Sequence, residues 1–140
     1  MTRQDIVALL DRHKLSFASR SPEKLAADHI ERGTFYSPAA GLVEGRDKIQ
    51  KVYEYWLAAF PDMEMTWDAP LVDGDRAAIF WQFRGTADGQ FFGDAKPGTR
   101  VQFAGAAEYR LSPEGIVSAR HLFDFTGALV TAGVLKVRPS

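Results

Sequence analysis

The sequence predicts an α+β domain whose helices pack on one face of a strongly bent antiparallel sheet. As far as Phe60, apolar side chains recur at helical spacing; from Met63 onward the period falls to two; and turn formers at Asp73-Gly74 and Pro113-Glu114-Gly115 punctuate the alternating stretches. Helices followed by a run of antiparallel strands in one short chain form separate layers of such a domain. At 140 residues the chain is the size of one domain and long enough to bury a core. Without an internal repeat, linker or low-complexity stretch, residues 1–140 read as a single domain.

In the first segment Ile6, Leu9, Leu10, His13 and Phe17 make one apolar stripe, with Asp5, Asp11, Arg12 and Lys14 off it. Ser21-Pro22-Glu23 starts a second, short helix: the serine oxygen caps free amides and proline fits the first turn. That helix is expected through Leu25 to about His29, followed by a loop containing Pro38 and Gly41. Ile49, Val52, Tyr53, Trp56, Leu57 and Phe60 then define a third helix, stopped by Pro61. Beyond it, MEMTWDAPLV with RAAIFWQFRGT and VQFAGAAEYRL with IVSARHLFDF read as two hairpins. Between them GTADGQFFGDAKPGTR, rich in glycine and turn formers, reads as an excursion at the rim of the sheet.

The net charge of −1, with both signs mixed along the chain, gives no footprint for nucleic acid or an anionic membrane, so a small, roughly neutral ligand is the expected partner. The absence of cysteine excludes a disulfide framework and a thiolate metal site, and suits a reducing compartment. The charged, amphipathic start MTRQDIVALLDRHK is unlike a signal peptide, and no apolar run is long enough to span a bilayer; a cytoplasmic protein is expected. The three histidines lack metal-ligand spacing, so no metal is expected. No glycine-rich phosphate loop and no G-x-S-x-G turn is present.

The final third poses the functional question. Asp124 stands between Phe123 and Phe125, ahead of a small-residue, helix-like tail. Either it ends the strand and caps the next helix, or it faces a cavity where apolar neighbours raise its pKa and make it a base. Strand alternation sets Arg120, Leu122 and Asp124 on one face and His121, Phe123 and Phe125 on the other. His121 then belongs to a sheet or subunit interface, or else reaches a pocket and donates to a carbonyl oxygen or relays a proton. His13 reads as a core histidine and His29 as a helix C-terminal cap.

The order FYSP…GLVEGRDKIQKVYEYW…FPD, then FRGT, FFGDAKPGTRVQF and EGIVSARHLFDFTGALVTAGVL, resembles the SnoaL-like polyketide cyclases of the nuclear transport factor 2-like superfamily. That resemblance implies a cystatin-like cone: a curved antiparallel sheet wrapped around a long helix, with an apolar pocket at one end. It implies cofactor-free acid/base chemistry on a small, apolar, carbonyl-bearing molecule, of the aldol-cyclisation or isomerisation kind. Asp124 matches the position of the family's acid/base carboxylate, with His121 as its partner candidate. Trp56, Phe60, Trp81, Phe83 and Phe103 are the expected walls for a flat ligand, and Tyr36 the expected donor to an oxyanion. A homodimer through the outer face of the sheet is also implied, and so is the alternative of a binding module without catalysis.

Overall fold

The computed structural model describes residues 1–137. Helix α1 (Arg3–Ala18) begins at Thr2, whose hydroxyl accepts from the Asp5 amide while the Asp5 carboxylate accepts from the Thr2 amide, a reciprocal cap. It buries Ile6, Leu10, His13, Ser16 and Phe17, which is the expected stripe with Leu9 only partly buried and one serine added. Helix α2 (Pro22–Ala27), capped by Ser21, ends earlier than the sequence suggests. Strands β1 (His29–Ser37) and β2 (Gly41–Glu44) follow as a hairpin where a helix end and a loop were expected. His29 is accordingly no helix cap: it opens β1 and is fully buried.

Helix α3 (Arg46–Ala59) crosses the concave side of the sheet formed by β3 (Glu64–Trp67), β4 (Leu71–Asp73), β5 (Arg76–Thr86), β6 (Arg100–Ser112) and β7 (Gly115–Phe123), together with β1 and β2. Helix α4 (Phe125–Thr131) closes the described chain. The strand order is β2-β1-β7-β6-β5-β3, with β4 also paired to β5, so the curved sheet remains open. Every pairing is antiparallel except one. Strand β1 lies parallel to β7, with Thr34 opposite Ser118, a non-local contact that local periodicity does not reveal.

On β7 the register shifts near Ile116, a bulge that turns Ile116 inward. From Ala119 onward strict alternation holds: Ala119 and His121 are buried, whereas Arg120 and Leu122 face outward. The core lies between α3 and this inner face. At Gly105 a Cβ would come 2.5 Å from the Trp81 indole, so the absent side chain lets that ring lie against β6. The 87–99 excursion folds inward, with Phe91 wholly buried between Trp56 and Phe60.

Candidate active site

Between α3 and the inner sheet face lies a cavity of about 60 Å³. Val52, Tyr53, Trp56 and Leu57 of α3 form one wall. Trp81 and Phe83 of β5, Phe103 of β6, and His121 and Phe123 of β7 form the opposite one. Phe35 and Ser37 of β1 close the side. Rings pack edge to face around the hollow, with Trp56 5.7 Å from Phe83 and 5.9 Å from Phe123.

The polar groups of this lining are few. His121 is buried against Phe35 and Trp81, at ring separations of 5.2 Å and 5.9 Å. Burial, and then the neighbouring His13, push its pKa down to about 3, leaving a neutral imidazole at ordinary pH. The Trp81 indole N–H is buried and has no hydrogen-bond partner among the described residues. Ser37 accepts from the Ala40 amide at 3.0 Å and keeps its own hydroxyl proton to give. The Tyr53 hydroxyl is tied to His29 Nε2 at 2.7 Å, and burial drives its pKa well above the ordinary value.

Behind Tyr53 the interior is unusually polar. His13 Nδ1 and Asp28 Oδ2 are 2.8 Å apart, and Arg12 reaches the other Asp28 oxygen at 3.3 Å. Burial works to raise the Asp28 pKa, but the His13 hydrogen bond and the charges of His13 and Arg12 outweigh it and hold the carboxyl below its usual value. His13 and His29 rings lie 5.6 Å apart, and Tyr109 stands 5.9 Å from both His13 and His121. Burial lowers His29 to about 3 and raises Tyr109. Histidines scattered along the sequence thus meet in one cluster. Among the described residues, no three His, Asp or Glu are arranged to hold a metal ion.

Of the residues nominated from sequence, His121, Trp56, Trp81, Phe83 and Phe103 line the cavity. Three do not. Asp124 is exposed and is the N-cap of α4, its carboxylate accepting from the Gly127 amide at 2.9 Å; alternation turns it away from the hollow that holds His121. The expectation of a carboxylate held dry in the pocket is therefore corrected. Phe60 is packed behind the wall against Phe83 and Phe91, at 5.0 Å and 4.9 Å. Tyr36 falls on the other face of β1 from Phe35 and Ser37. Sequence reading missed Ser37, Tyr53 and the Asp28–His13 pair. The only signal for that pair was a histidine on an otherwise apolar helical stripe.

Residues 7–130 match the family described as SnoaL-like polyketide cyclase. The chain belongs to that family. No curated protein matches its sequence. Among solved structures it is similar to AclR from Streptomyces galilaeus, at 23% identity and TM-score 0.82 over 99% of this chain and 87% of that one. IdmH from Streptomyces antibioticus matches at 21% identity and TM-score 0.77, over 92% and 99% of the two chains. A protein of ketosteroid isomerase-like fold from Catenulispora acidiphila, in complex with trimethylamine, matches at 20% identity and TM-score 0.78, over 91% and 93%. At such identities the likeness establishes the ketosteroid isomerase and nuclear transport factor 2-like fold. Among the described residues no helix is long and apolar enough to cross a membrane.

Proposed function

We propose that this SnoaL-like chain, as one domain whose last three residues lie outside those described, binds a small, flat, largely apolar carbonyl compound in the aromatic cavity. It acts there by cofactor-free acid/base chemistry of the aldol-cyclisation or isomerisation kind. One observation carries this reading: the aromatic hollow is lined by a neutral His121 imidazole and by Trp81, whose buried indole N–H has no partner among the described residues. Buried donors call for an acceptor, and a carbonyl oxygen supplies one without bringing charge into an apolar space. Hydrogen bonds from His121 and Trp81 to that oxygen stabilise the enolate that forms when an adjacent C–H passes its proton to a solvent hydroxide, which leaves as water. The proposed role of His121 is thus donor to the oxygen, and Asp124 has none.

A second reading, binding without turnover, is favoured by the lining itself: none of the described cavity residues is a carboxylate. Deuterium exchange separates the two. In D2O the protein is expected to accelerate exchange of the methyl protons of acetophenone, read by NMR, and His121→Phe to abolish the acceleration. Exchange at the buffer rate with the ketone bound would leave the binding module as the function. Pairing of two copies through the outer sheet face also belongs to the proposal. It is supported by Phe80 and Leu122, 55% and 53% exposed and flanking Ala106 on one rung. Sedimentation of a Phe80→Glu variant as a monomer, against a wild-type dimer, checks it. A cytoplasmic setting suits the cysteine-free chain.

A further inference from the structure

The cavity of about 60 Å³ holds little more than a small ring, yet a groove of about 320 Å³ adjoins it. Val52 and Trp56 line both spaces, so they form the boundary between hollow and groove. The groove's remaining walls are Val43 of β2, Tyr55 of α3 and Phe92 of the excursion, and its rim carries Lys48 and Lys51. Lys48, Lys51, Val52 and Tyr55 follow i, i+3, i+4, i+7 spacing, which gives α3 one face that is cationic at its start and aromatic at its end. Neither lysine is in an ion pair among the described residues, although seven other pairs form. No carboxylate lines the groove among those residues either.

Phe92 is held there by construction. It is non-glycine at φ 56°, its N–H donates to the Tyr55 hydroxyl at 2.6 Å, and its ring lies 4.6 Å from that of Tyr55. A left-handed residue of this size persists only where its surroundings impose it, and such positions cluster at ligand clamps. Here the imposed conformation keeps an aromatic ring 40% exposed beside Trp56.

Resting on the cavity reading above, we infer that this groove is a second subsite, which receives the carboxylate arm of a ligand whose ring occupies the aromatic hollow. The apolar stretch between ring and carboxylate lies along Val52, Trp56 and Phe92, and Lys48 and Lys51 meet the charge. The division follows from solvation. A carboxylate in the aromatic hollow would lose its hydration without a cation to replace it, whereas at the two lysines it keeps water and gains attraction. The substrate class is therefore an amphipathic aryl keto acid rather than a neutral ketone.

Calorimetric titration with 4-phenylbutanoate and its uncharged match 4-phenylbutanamide tests this on the intact chain. The wild type is expected to bind the acid about five- to tenfold more tightly than the amide at low salt, the size expected of exposed ion pairs, with the advantage shrinking as salt is added. K48Q/K51Q is expected to erase the advantage, and K48E/K51E to invert it. Equal affinities in the wild type, or an advantage that survives K48Q/K51Q, overturn the subsite while leaving the cavity reading intact. If neither compound binds, the cavity reading falls as well, and the subsite with it.

Discussion

The two ends of the interior are built from opposite materials. Toward α1, the core holds Asp28, His13, His29, Tyr53 and Tyr109, bound in pairs or with nitrogen and oxygen atoms that have no partner among the described residues. Toward α4 it holds Trp56, Phe60, Phe83, Phe91, Phe103 and Phe123, whose rings pack on one another in stacked, tilted and edge-to-face pairs. His121 and Trp81 stand where the two meet. The aromatic end gains its stability from area and tolerates exchange of one apolar group for another. The polar end depends on particular partners and particular protonation states.

Lowering the pH should expose that difference most strongly. His29 and His121 are both held near a pKa of about 3, below the ordinary 6.5. As pH falls through 6.5 the unfolded chain takes up protons that the folded chain refuses, so stability is full above that pH and drains below it. Between pH 7 and 4.5 the loss should be on the order of 5 kcal/mol, read by urea unfolding at each pH. Asp28, whose pKa is also lowered, pulls the same way at the acid end. A flat profile would mean that these imidazoles are not buried neutral.

Removing one partner of the buried pair comes next. Asp28→Ala leaves His13 without its carboxylate and should cost about 3–5 kcal/mol at pH 7 in the same assay. In the aromatic end, Phe91→Leu keeps much of the volume and should cost only about 1–2 kcal/mol, with no change in the pH profile. Smallest of all, Asp124→Ala should cost about 1 kcal/mol by loss of the α4 cap and leave calorimetric affinity for acetophenone unchanged. A collapse of that affinity would return Asp124 to the site.

What could be read from the sequence follows the same division. The aromatic end was legible because Trp56 and its neighbours recur with the period of α3, and Trp81 with Phe83 shares a strand face. Alternation along β7 also separated His121 from Asp124 correctly; the likeness to known cyclases then drew attention to the carboxylate, which is a cap. The polar end was not legible. His13 and Asp28 meet only because α1 and α2 pack together, and His29 finds Tyr53 across a gap of 24 residues. The β1–β2 hairpin was hidden by Pro38 and Gly41, which signal a loop but here sit at its turn and the start of β2.

The parallel seam between β1 and β7 has a consequence for how the molecule comes into being. Thr34 cannot meet Ser118 until β7 has been synthesised, so one flank of β1 waits bare while the intervening hairpins assemble. Closure of the seam is then a late event in folding. Pulsed hydrogen exchange should find the amides of β1 that face β7 protected after those within the β5–β6 hairpin, and a nascent chain stalled before Gly115 should be prone to stick to its neighbours.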